Sequence, residues 1–268
     1  MPSAVNPAPP APSRHRPITL LLGAAALLAA ALLLHGPVLQ WPDYHAFADR
    51  RAWLGLPHAA DVLSNGPFAL VGTWGLWRLR GMNAPATAAW RVFCAALIAT
   101  ALGSTLYHLA PGNTALVFDR LPIAWACASL LCAFLAERGH ARAARAGVLA
   151  AALVAASASV AVWWWGERLG AGDLRAYLFV QFLPMLLVPL TLLAHREAGA
   201  PGAVPASAWW AVLAFYAGAK GMELADRIVF DMLGVVSGHT LKHLLAAAGA
   251  ACLVAGLVRA RDAADQLR

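Results

Sequence analysis

Three histidines, one aspartate and one serine stand where an apolar chain has little reason to keep them. GSTLYH closes one apolar stretch with Ser104 and His108 four residues apart, hence on one helix face. FDRLP places Asp119 at the opening of the next stretch, and SGHTLKHLLAA opens the last with His239 and His243, again four apart. Ionisable groups within membrane helices cost roughly 3 kcal/mol each, so by default they mark function. Three imidazoles with an open fourth position suit a catalytic zinc ion, which lowers the pKa of a bound water to about 7. A carboxylate such as Asp119 can then shuttle a proton, and a hydroxyl such as Ser104 can donate to a developing oxyanion. The second imidazole nitrogens need partners, for which Asp119 and Asp61 are candidates.

Each residue also has a plainer reading. A histidine near a helix end is ordinarily an interfacial residue, and Ser104 can bond a carbonyl one turn back. Asp119 can cap a helix that begins near Leu121 with Pro122 in its first turn. Lys242 is offset by about 100° from His243 around the helix and is expected to snorkel or pair with an acidic neighbour. Lys220, Glu223 and Asp226 recur every three residues and read as an internal ion-pair ladder, or as polar contacts for a headgroup. What favours the metal is that three separate stretches bring their polar groups to one depth.

That depth is set by the elements. The chain has 268 residues, 61% of them hydrophobic, with a mean hydropathy of +0.64. This composition defines a membrane protein, because a bilayer core about 30 Å thick takes about 20 apolar residues per helix. The reading is an all-α, polytopic membrane helix bundle. A disordered cytoplasmic N-terminus covers 1–16, an extra transmembrane helix 17–40 (its apolar run from Ile18 to about Leu39), and an interfacial segment 41–60. In that segment Trp41, Tyr44 and Trp53 are expected at headgroup level. A seven-helix core fills 61–258, with spans near 61–80, 88–108, 116–136, 143–165, 174–194, 207–230 and 238–258, before a cytoplasmic tail at 259–268. The N-terminal run exceeds a signal-peptide h-region and no small-x-small cleavage site follows it, so a retained helix is expected.

The net charge of +7 resides largely in short loops and carries no nucleic-acid signature; it reports orientation instead. With both termini inside, the cytoplasmic stretches hold Arg14, Arg16, Arg78, Arg80, Arg91, Arg138, Arg142, Arg145, Arg196, Arg259, Arg261 and Arg268. The opposite side holds Arg50, Arg51, Arg168, Arg175 and Arg227. This places the metal site toward the periplasmic side of a bacterial inner membrane. Cys94, Cys127, Cys132 and Cys252 all lie in apolar stretches without metal-type spacing and read as inert thiols.

The pattern of Ser104 and His108, Asp119, and His239 with His243 resembles the alkaline ceramidases and the wider CREST superfamily of seven-helix membrane hydrolases. The resemblance covers residues from about 41 to 258. It implies zinc held by His108, His239 and His243, with Asp119 and Ser104 around the metal-bound water. DVLSN, with Asp61 and Asn65, is similar to the family's first core helix, and Asp226 to the aspartate of its penultimate helix. The family's eukaryotic members bind calcium through a Trp-x-Glu-x-Asn segment. Here WPDYHAFADRR matches at Trp41, and Asp43 and Asp49 can stand in, but the asparagine is absent, which leaves calcium dependence in doubt.

The expected activity is zinc-dependent hydrolysis of the N-acyl bond of a ceramide-like membrane lipid, giving a sphingoid base and a fatty acid. The alternatives are hydrolysis of another acyl lipid, a receptor-like lipid-binding protein with a structural metal, and a proton-coupled transporter. An absence of inverted repeats disfavours the transporter.

Overall fold

The structure, a computed structural model, describes residues 15–194 and 202–266. The stretch expected to be disordered lies outside them except for its last residues, as do Arg14, Arg196 and Arg268. The molecule is all-helical, with no strand among the described residues. In chain order the helices are α1 (His15–His35), α2 (Ala59–Leu63), α3 (Gly66–Arg78), α4 (Thr87–Leu109) and α5 (Asn113–Glu137). A short 3-10 turn leads to α6 (Ala146–Arg168), α7 (Arg175–Ala194), α8 (Ala206–Leu224), α9 (Asp226–Leu233) and α10 (Gly238–Gln266). Six of them, α1, α4, α5, α6, α7 and α10, are long and apolar enough to cross a membrane. The protein is therefore a membrane helix bundle.

Two expected spans are broken, both beside the polar site. The stretch 61–80 divides at Ser64 and Asn65 into α2 and α3. The stretch 207–230 divides at Ala225 into α8 and α9. Hydropathy averages across such breaks, so neither is visible in composition. Each places a carboxylate, Asp61 or Asp226, against the first turn of α10.

The principal core is built from α3, α4, α5, α8 and α10, around Trp90, Phe134, Trp209 and Leu253. Helix α1 packs on α7 at the periphery and leaves Leu27, Leu33 and Leu34 exposed. It ends at His35, earlier than the apolar run suggests, and the following strap runs irregularly over one end of the bundle. In that strap Trp41 is 67% and Trp53 60% exposed, as an interfacial segment requires. Tyr44 instead turns inward, its ring 5.3 Å from the Arg120 guanidinium. All four cysteines are free; three are buried and Cys252 is half-buried.

Candidate metal centre

The site begins with a close helix crossing. A Cβ on Gly103 would collide with the Phe118 carbonyl, so only glycine lets α4 and α5 approach this closely. That approach sets Ser104 and His108 beside Asp119. The helix carrying Asp119 starts at Asn113, so Asp119 and Pro122 are interior residues. The capping role is thereby corrected, and Asp119 is a buried carboxylate with no helix end to serve.

The third contribution comes from the start of α10. A Cβ on Gly238 would strike Met222 and Asp226 backbone, which seats this helix end against α8 and α9. Its free N–H groups are capped twice. Ser237 Oγ accepts from Thr240 N at 3.0 Å, and Asp226 Oδ1 accepts from His239 N at 2.8 Å. The other Asp226 oxygen accepts from Ala48 N at 2.9 Å and ties the strap to the same place. Asp226 therefore does not continue the ion-pair ladder. That pairing is made by Glu223 with Lys220 at 2.6 Å and Lys242 at 3.2 Å, so Lys242 pairs with an acidic neighbour.

His108, His239 and His243 converge, each offering one ligand nitrogen, with all three within 4.8 Å of one another. The three rings are buried and stand edge to face, with centroids 4.8 to 5.1 Å apart. Neither nitrogen of His108 has a hydrogen-bond partner, nor does Nε2 of His239. Buried imidazole nitrogens left without partners are costly, and such a set is a ready ligand shell for a borderline divalent ion. A tetrahedral ion with bonds of about 2.0–2.1 Å needs its nitrogens about 3.4 Å apart. The donors fit: this group can hold a metal ion.

His243 is aimed by Ser64, a residue of the DVLSN motif to which the sequence assigned no role. Ser64 Oγ–H donates to the Asp61 carbonyl at 2.9 Å, so at 2.8 Å its oxygen receives the proton of His243 Nδ1. That fixes the tautomer and leaves Nε2 as the ligand atom. Asp61 was a candidate imidazole partner, yet its carboxylate Oδ1 accepts from Thr240 Oγ1 at 2.6 Å. Asn65 donates Nδ2 to the Asp61 carbonyl at 2.9 Å. Ser104 Oγ lies by the Asp119 carboxylate without reaching hydrogen-bond geometry with any group.

The strap supplies another side chain without a sequence signal. Phe47 is buried and packs at a steep angle against His108 and His239, with ring centroids 4.6 and 4.7 Å away, covering the site from the strap. The strap is held by His45, which bridges the Tyr107 hydroxyl at 2.8 Å and Asn113 at 2.9 Å. Asp49 binds Arg51, whose Nη1 and Nη2 reach the Gly234 and Val235 carbonyls. Hydrogen bonds from the Arg51 guanidinium hold the Asp49 carboxyl below the usual carboxylate range. With Asp49 so engaged and Asp43 exposed, the acidic strap residues do not join a second cluster of three ligands among the described residues.

Beside the histidines opens a cavity of about 600 Å³. Ser104, Asp119, Lys242 and His243 line it, as do Gln40 and Tyr44 from the strap and Arg120, which bonds Gln40. The rest of its lining is largely apolar, including Phe93, Leu97, Leu130, Phe182 and Met185, with Lys220 and Glu223 also reaching it. Fold and site together define a helical membrane protein with a buried three-histidine group able to hold a metal ion. No protein-family model and no curated protein matches the chain.

Proposed function

We propose that the chain is a metal-dependent membrane hydrolase of alkaline ceramidase type, cleaving the N-acyl amide bond of a ceramide-like lipid. The observation that carries this is that His243, Asp119 and Ser104 line one cavity whose remaining lining is largely apolar. A structural metal site is closed by four protein ligands, whereas here three histidines converge and one of them, His243, shares a cavity lining with a carboxylate and a hydroxyl. Zinc bound by His108, His239 and His243 would supply Lewis acidity and an activated water.

The chain's own groups account for the rest. The Asp119 carboxylate accepts the proton of the attacking water and returns it to the leaving amine nitrogen as the C–N bond breaks. The Ser104 hydroxyl donates to the carbonyl oxygen as negative charge grows there. The acyl chain occupies the apolar walls, and Phe47 with the strap excludes bulk water, which strengthens both interactions. The arginine distribution supports a site facing the periplasmic side of a bacterial inner membrane, with both termini cytoplasmic.

The test is elemental analysis of the purified protein together with fatty-acid release from labelled ceramide. Wild type is expected to carry stoichiometric zinc and to release fatty acid. His243→Ala is expected to lose both, to the detection limit, while remaining folded. Undiminished hydrolysis in that variant would sink the reading.

A further inference from the structure

One cation at the cavity has no role in the chemistry above. Arg120 follows Asp119 on α5 and is only 4% exposed. Three aromatic faces enclose its guanidinium: Trp163 at 4.1 Å, Tyr177 at 5.2 Å and Tyr44 at 5.3 Å. Nη2 donates to Gln40 Oε1 at 2.6 Å, whereas Nε and Nη1 donate to nothing. Gln40 Nε2 is likewise buried without a partner. Rings satisfy the face of a guanidinium but leave its N–H edge unpaired. A permanently charged, desolvated donor group therefore lines the cavity beside the Asp119 carboxylate, on the strap side and away from the apolar walls.

We propose that Arg120 and Gln40 form an anion-recognition subsite, so that the acyl lipid this site takes carries an anionic headgroup close to its amide. This rests on the acyl-lipid reading of the cavity and narrows its substrate class. The electrostatics agree. The lining holds the cations Arg120, Lys220 and Lys242 against the carboxylates Asp119 and Glu223. Both lysines are already spent on Glu223, which leaves Arg120 as the lining cation without a hydrogen-bonded counter-ion. A headgroup carboxylate or phosphate accepts from one free edge of the guanidinium, at Nε or Nη1, and from Gln40 Nε2, and so removes two unmade hydrogen bonds at once. A neutral headgroup leaves these buried N–H groups unpaired.

The test is equilibrium binding to the full-length, metal-loaded protein in detergent. The probes are methylene-ketone isosteres of N-dodecanoylglycine and N-dodecanoylethanolamine, in which CH2 replaces the scissile N–H so that nothing can be hydrolysed. Wild type is expected to prefer the carboxylate probe by roughly ten- to hundredfold, the worth of charge-assisted hydrogen bonds. Arg120→Gln is expected to bring the two affinities together, and Arg120→Lys to keep part of the preference. Gln40→Glu supplies an internal counter-ion while preserving the strap's contact, and is expected to erase the preference even if Arg120→Gln fails to fold. Equal affinities in wild type overturn the proposal, as does a preference that survives Gln40→Glu. Laurate is the third probe. If it binds as tightly as the carboxylate isostere, and does so through Arg120, the subsite serves the fatty-acid product and the headgroup assignment falls. Because no turnover is needed, a protein that binds with this preference but hydrolyses no lipid would refute the hydrolase and leave the subsite standing.

Discussion

Two polar clusters are buried near opposite ends of α4 and α5, and they differ in how their atoms are satisfied. Trp90 and Glu137 mark one end, His108 and Asp119 the other; eighteen residues separate the members on each helix, or about 27 Å of helical rise. At the first end Glu137 receives Trp90 Nε1 at 2.8 Å, Val204 N at 3.0 Å and Arg261 Nη2 at 3.3 Å, so both carboxylate oxygens are occupied. At the second, both nitrogens of His108, His239 Nε2 and the Ser104 hydroxyl have no partner. An unmade buried hydrogen bond costs about 1–3 kcal/mol, so a fold that retains several in one place is holding them for a ligand. The Glu137 cluster instead joins α4, α5, α10 and the chain before α8, which is a structural task.

The difference can be broken by substitution at each end. Asp119→Asn is nearly isosteric and removes the proton acceptor, so hydrolysis is expected to fall by about 10²–10⁴-fold with bound metal unchanged. Loss of metal in that variant would make Asp119 a ligand and erase the division of labour proposed here. Glu137→Ala is expected to do the reverse. It strands Arg261, the Trp90 indole N–H and the Val204 N–H, and should lower stability by about 3–5 kcal/mol in denaturant titrations in detergent. Metal content per folded molecule should not change. A variant that unfolds no more easily than wild type would show that the satisfied cluster is not structural.

The two ends also differ in how far the sequence reveals them. Ser104 with His108 and His239 with His243 are legible because helical spacing of four puts each pair on one face, and the apolar background makes them stand out. The class of fold follows from the same background. What spacing cannot reveal is the effect of a break. Ser64 sits where α2 stops, and Asp226 where α8 gives way to α9, so neither keeps the register of an uninterrupted helix. The plainer reading of Asp119 as a cap rested on Pro122, which ordinarily marks a first turn, whereas here the helix has already run from Asn113. Phe47 and Gln40 lie in the irregular strap, where no periodicity assigns a side chain to a face, and only the folded chain brings them to His108 and Arg120.

Ser64→Ala probes the weaker, supporting layer of the histidine end. It frees His243 Nδ1 and leaves the three ligand nitrogens in place, so metal affinity is expected to drop by about 10–100-fold, with activity recovered at high metal concentration. Competition against a chelator measures this directly. An unchanged affinity would mean that packing against Phe47 and the neighbouring rings, not the hydrogen bond, orients the imidazoles.

The smallest effect is expected from the strap, through pH. The Asp49 carboxyl titrates lower in the folded protein than in the unfolded chain because Arg51 donates to it. A depressed pKa contributes stability that is complete above the unfolded value of about 3.9 and is lost as pH falls through the folded value. Acidification below about pH 4 should therefore release Asp49 from Arg51, and with it the hold of Arg51 on the Gly234 and Val235 carbonyls. Trp53, in the same strap, reports this through its fluorescence. Because other carboxylates titrate in that range, the informative quantity is the difference between wild type and Asp49→Asn. The variant should show the loosened strap already at neutral pH, and its acid transition should lack the component that wild type displays. If the two profiles coincide, the strap is held by its other contacts, among them His45 on Tyr107 and Asn113, Phe47 on the histidines and Asp226 on Ala48, and the Asp49–Arg51 pair contributes no measurable closure.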